Sequence, residues 1–196
     1  MRSFRFNVPS LLLLFAAIVI ASCGGSNDGS PPSGQTTATV TGSVFAAPVV
    51  GASVVVLDSS GTTTIAGPVS TANDGTFSVT VPVSAFTSTM IISSSSGTFI
   101  DEATGAATPA KEMAAYVAGG GLSAGAAAHL DPSSTIIARL VRNHGKTHAD
   151  AKAAFSAAFG YIPDLSTPPL NAPSSSATAT QRLAALRAIA FSQLTK

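Results

Sequence analysis

The chain has no tryptophan, one cysteine, two tyrosines and only 10% charged residues among its 196. Each shortage excludes something. A lone Cys23 cannot close an intrachain disulfide, nor supply the several thiolates of a cysteine-built metal or cluster site. Charge is far below the ~25% of ordinary globular proteins, so the chain is no charged, self-repelling disordered polymer. With only Tyr116 and Tyr161 and no tryptophan, an aromatic platform for sugar rings is thinly supplied. The run Gly119-Gly120-Gly121 is not followed by Lys-Ser/Thr, which excludes a phosphate-cradling loop of that type.

What is present begins with an address. Residues 1–22 have the three parts of a secretory signal: Arg2 and Arg5, the uncharged apolar run Leu11–Ile20, then small Ala21-Ser22. The run is too short for an uncut anchor, which needs about 20 apolar residues to cross a ~30 Å hydrocarbon core. Ile20-Ala21-Ser22-Cys23 resembles the bacterial lipobox, a branched apolar residue and two small ones before the lipid-bearing cysteine. The other reading of Cys23 is an incidental cysteine beside a cleavage site. The resemblance implies cleavage before Cys23, a thioether-linked diacylglycerol on it and acylation (palmitate, for instance) of the new amino terminus. Several acyl chains anchor stably where one, at ~0.8 kcal/mol per buried CH₂, holds marginally. Gly24 rather than Asp follows the cysteine, which by analogy favours the outer membrane. Residues 23–37, rich in Gly, Ser and Pro, form a flexible linker with a reach of ~20 Å.

Charge is unevenly divided. Gly24 to Asp131 carries seven acids and one base, and Pro132 to Lys196 carries seven bases and two acids. Nucleic acid is a poor explanation outside the cytoplasm. Either the two halves attract each other across an interface, or a basic helical face meets acidic lipid headgroups.

Residues 38–130 read as strands. Val40, Gly42, Val44 and Ala46 alternate with Thr41, Ser43 and Phe45; Ala52–Asp58 is β-branched; Thr62–Thr71, broken by Gly67-Pro68, suits an edge strand. Asn73-Asp74-Gly75 is the strongest hairpin signal, leading into Thr76–Pro82 with Phe77, Val79 and Val81 on one face. Met90–Ser93, Thr98–Asp101 and Glu112–Ala118 read as further strands, although Ala and Met in the last leave a helix open. Val40-Thr41-Gly42-Ser43-Val44, Gly51-Ala52-Ser53-Val54 and Asp74-Gly75-Thr76-Phe77-Ser78-Val79 resemble the carboxypeptidase regulatory-like, or transthyretin-like, β-sandwich over about 45 residues. The resemblance implies a small antiparallel sandwich used structurally or for adhesion, without catalytic residues. The Lys–Asn cross-link of some such domains is excluded from the first strand, because no lysine precedes Lys111. Gly97–Gly105 is similar to a segment of bacterial lipoproteins in which a helical region follows such a sandwich.

Residues 131–196 read as three helices. Asp131 caps the first, with Pro132 at its first position, and Gly145 stops it. Thr147 and Asp150 have capping-box spacing, followed by a stripe of Ala151, Ala154, Phe155, Ala158 and Phe159. After a Pro-rich loop, the third helix is expected over 177–194, burying Leu183, Leu186, Ile189, Ala190 and Leu194. So small and alanine-rich a segment is expected to dock on the strands rather than fold alone.

Candidate chemistry is sparse. Gly121-Leu122-Ser123-Ala124-Gly125 matches a nucleophile-elbow pattern, which needs a strand before it, a helix after it and a larger hydrolase sheet. His144 and His148 have a metal-ligand spacing, but Gly145 and Thr147 place them across a turn and His129 is the only other histidine, so the pair reads as solvated loop histidines. Asp58, Asp74, Asp101 and Glu102 would bind Ca²⁺ only if the fold gathered them. The expectation is mainly β plus α, a small transthyretin-like sandwich followed by a three-helix segment. The function expected is a lipid-anchored envelope protein with a structural or protein-binding role, without catalysis, cofactor or metal. Its partners would be the membrane, through Cys23, and an envelope protein or glycan. The alternatives are a carbohydrate-binding surface module using Tyr116 or Tyr161, and a serine hydrolase using Ser123.

Overall fold

A computed structural model describes residues 36–170 and 176–194. The apolar leader, Cys23 and the linker lie outside the described residues. Eight strands are followed by three helices: β1 (Thr37–Ser43), β2 (Ser53–Asp58), β3 (Thr64–Ser70), β4 (Thr76–Pro82), β5 (Met90–Ser95), β6 (Thr98–Ile100), β7 (Ala107–Pro109), β8 (Met113–Val117), α1 (Pro132–His144), α2 (His148–Phe159) and α3 (Ala179–Leu194). The mixed architecture expected from the residues is present. No described helix is long and apolar enough to cross a membrane.

β1 pairs antiparallel with β4, placing Val40 opposite Val79. A second sheet has the order β3–β2–β5–β8, and β6 and β7 make a separate pair. These sheets do not close into a clear sandwich, but their inward residues share one core. Alternate positions of β1, β2 and β4 (Val40, Val54, Val56, Phe77, Val79, Val81) meet Met90, Ile92, Ala115 and Val117 from β5 and β8. Each such side chain contributes ~1.5–3 kcal/mol on burial, which is why period two dominates these strands.

The Asn73-Asp74-Gly75 turn forms, but not as a hairpin. Asp74 Oδ1 accepts hydrogen bonds from the Thr76 N–H at 3.0 Å and the Thr76 hydroxyl at 2.7 Å, and Gly75 takes φ 79°. Yet β3 pairs with β2, whereas β4 pairs with β1 in the other sheet. Buried Thr71 divides them, donating its hydroxyl to the Val49 carbonyl at 2.6 Å and accepting from the Ala52 N–H at 2.8 Å. The Thr98–Asp101 strand likewise pairs not with its predecessor but with β7, a three-residue strand that the residues did not announce.

The outer edge of β1 is covered by residues 125–130, running parallel to it. Thr41 N–H donates to the Ala126 carbonyl, Ala128 N–H to Thr41, Leu130 N–H to Ser43 and Phe45 N–H to Leu130, at 2.8–3.3 Å. This segment abuts Gly42, where a Cβ would lie 1.9 Å from the Ala128 carbonyl oxygen. The expected alternation at residues 43–47 therefore disappears: Ser43, Val44, Phe45, Ala46 and Ala47 are all buried.

The helices dock on the strands. Asp131 and Ser134 form a reciprocal capping box at the start of α1, and Gly145 ends it in the left-handed conformation. Ser134 donates to the Ala114 carbonyl and Thr135 accepts from the Ala114 N–H, both at 3.0 Å, tying α1 to β8. Ala138 packs there against Ile91 and Ala114. Among the described residues a single ion pair, Arg142–Glu112 at 3.5 Å and partly exposed, spans the acidic and basic halves. Such a pair contributes at most ~1 kcal/mol, so hydroxyl bonds and apolar contact, not charge, hold the halves together.

The buried face of α3 is only in part the one expected: Ile189 packs on the β region, but Leu183, Leu186 and Ala190 do not. Leu183 and Leu186 are 45% and 62% exposed, Ala190 is exposed and Ile189 half-buried, while Ala185 and Ala188 are buried against Phe45. The side chain of Leu194 lies outside the described residues. In α2 the expected stripe narrows to Ala151 and Phe155, since Ala158 and Phe159 are exposed.

Candidate functional site

Cys23 lies outside the described residues. Ser123 is exposed in a tight turn closed by Ala126 N–H donating to its carbonyl at 3.0 Å. Residues 126–130 then run along β1 instead of forming a helix, so the strand–nucleophile–helix geometry is not built.

The three histidines are separated by role. His144 is exposed at the end of α1, as expected. His148 is not a solvated loop residue: it opens α2, and its ring packs against Tyr116 with centroids 5.0 Å apart. Burial lowers its pKa, and nearby Lys152 adds to this. His129 is half-buried, with Nδ1 2.8 Å from the Ser43 hydroxyl. Burial lowers its pKa from 6.5, while Asp164 acts in the opposite sense. Ser43, His129 and Asp164 contain the residue types of a nucleophilic triad, but Ser43 is only 5% exposed. Asp164 accepts hydrogen bonds from the Ser166 N–H, the Ser166 hydroxyl and the Thr167 hydroxyl, which hold its carboxyl below the usual range. The arrangement is a polar clamp joining β1, the 125–130 segment and the loop after α2, where His129 N–H also donates to the Leu165 carbonyl.

This clamp has a pH signature. A histidine whose folded pKa is depressed supports stability fully above its unfolded value and loses that support as pH falls through the folded value. The melting temperature is therefore expected to drop as pH is lowered below about 6.5, the ordinary histidine value, with His148 contributing in the same sense. Thermal melts of wild type and His129→Gln from neutral to mildly acidic pH check it. The variant's curve should be flatter, and an unchanged slope would show that His129 titrates no differently in the folded chain.

The acids proposed for Ca²⁺ are not gathered. Hydrogen bonds from Ser60 lower Asp58 to about 2, and Asp74 serves the Thr76 turn. Buried Asp101 accepts from the Ala103 and Thr104 N–H groups and from Gln193 of α3. No group of three His, Cys, Asp or Glu side chains placed to hold a metal occurs among the described residues.

Both tyrosine rings are engaged. Tyr116 faces His148; Tyr161 carries the Arg187 guanidinium 3.7 Å from its centroid, meets Phe155 edge-on and shares a 2.7 Å hydrogen bond with Ser133.

Among the cavities between described residues, two of about 190 Å³ each lie against the helices. One, beside His129, is lined by Asp131, Tyr161, Asp164 and Arg187. The other lies between β7, β8, α1 and α3, walled mainly by apolar side chains. No signal in the sequence marked either, because their walls come from segments far apart in the chain. No family model matches the chain, and neither a curated protein nor a solved structure is detectably similar to it.

Proposed function

We propose that the protein is a lipid-anchored component of a bacterial cell envelope with a structural or protein-binding role, held at the membrane through Cys23. The observation that carries this reading is the order of features in the chain: a charged start, the apolar run Leu11–Ile20, then Ile20-Ala21-Ser22-Cys23 and a Gly/Ser/Pro-rich stretch. The first described strand begins at Thr37, directly after that stretch. The resemblance of the short motifs at residues 40–44, 51–54 and 74–79 to transthyretin-like modules favours display of a shape over turnover of a substrate, and Gly24 after the cysteine favours the outer membrane.

Cell fractionation of Cys23→Ser tests it. Wild type is expected in the membrane fraction and the variant in soluble or precursor form, with the β and helical regions still folded by circular dichroism. A variant that fractionates with membranes as wild type does would overturn the anchor.

A further inference from the structure

The cavity between β7, β8, α1 and α3 combines an apolar wall with cations at its edge. Phe99 and Met113 are nearly fully buried, and Ile136 and Phe191 close the other side. At about 190 Å³ it has room for roughly six water-sized groups, or a short alkyl chain, at ~30 Å³ each. Lys111 and Arg139 also line it, and both are exposed. Neither has an ion-pair partner among the described residues. The one acid in the lining, Glu112, is engaged elsewhere, accepting from the Ser93 hydroxyl at 3.3 Å and from Arg142 at 3.5 Å. An apolar pocket with two unneutralised cations fits a ligand that is apolar at one end and anionic at the other.

We propose that this cavity binds a single-chain carboxylate amphiphile, a medium-chain fatty acid, with its tail between Met113, Ile136 and Phe191 and its carboxylate toward Lys111 and Arg139. The tail supplies most of the affinity by leaving water, and the two cations set the preference for a charged head. This site is independent of the anchor at Cys23 and of its role.

Calorimetric titration of the full chain with octanoate, 1-octanol and butyrate tests the proposal. Octanoate should bind saturably at one site, about a hundredfold tighter than butyrate, from the extra buried methylenes. It should bind about tenfold tighter than octanol, and Lys111→Gln with Arg139→Gln should remove that advantage while leaving octanol binding unchanged. Ile136→Trp should fill the pocket and abolish binding of both. Should that variant fail to fold, Thr108→Trp obstructs the same cavity from β7. Absence of saturable octanoate binding, equal affinity for octanol, or octanoate binding that survives a folded pocket-filling variant would each overturn the proposal.

Discussion

Replacing Gly42 by alanine should be the most damaging single-methyl change in the β region. Gly42 does not have the positive φ that favours glycine, so the argument is purely one of space. The added Cβ would sit 1.9 Å from the Ala128 carbonyl oxygen and 2.7 Å from the Phe77 ring. The phenyl group could turn aside, but the carbonyl belongs to a segment pinned to β1 on both sides of that residue. Overpacking of this kind costs about 3 kcal/mol, a fall of roughly 6–12 °C in melting temperature for a domain of this size. Gly105→Ala is the contrast: it has φ 69° and nothing within 4 Å, so it carries only a backbone penalty of ~1 kcal/mol. Thermal melts of the two variants compare the effects. A Gly42→Ala protein as stable as Gly105→Ala would mean that residues 125–130 do not lie against β1.

Phe155→Ala should cost ~3–5 kcal/mol, as large aromatic truncations in cores do. Phe155 is 1% exposed and stands at the centre of the helical layer, with ring centroids 4.6 Å from Phe159, 5.2 Å from Tyr161 and 6.0 Å from Phe191. Its removal takes a partner from α2, from the loop after it and from α3 together. Amide hydrogen exchange should therefore quicken in α2 and α3, while the central strands β2 and β5, whose core Phe155 does not enter, keep their protection. Leu186→Ala, at a residue 62% exposed, should change neither. Uniform loss of protection would show that strands and helices unfold as one unit.

Local elements were far more legible than their partners. Period-two alternation found β1 and β4, and a β-branched run found β2, because each has one face in the shared core; the caps at Asp131 and Thr147 marked helix starts through side-chain chemistry that acts within one turn. Pairing depends on contacts distant in the chain. Asn73-Asp74-Gly75 announces a reversal and not which strands pair, so β4 went to β1. The Gly125–Leu130 segment has an alanine triplet that favours a helix, and it is extended only because β1 has a free edge to fill. Size misled at α3: leucines are the better core formers in isolation, yet Phe45 is met by Ala185, Ala188 and Ile189, while Leu183 and Leu186 stay exposed. His129 had one discernible signal, a polar residue between buried Ala128 and Leu130, and reading it required knowing that Ser43 lies opposite.

The flanking of β1 also has a mechanical side. The described chain enters its first strand at Thr37, so a pull arriving through the preceding residues acts along the axis of β1. That strand has β4 on one edge and residues 125–130 on the other. Hydrogen bonds stand perpendicular to the strands in the antiparallel pair with β4 and slant across the parallel contact with residues 125–130, so such a force loads both rows mainly in shear, many bonds at once, instead of peeling them singly. The first described strand is thus built to share tension between two rows of hydrogen bonds.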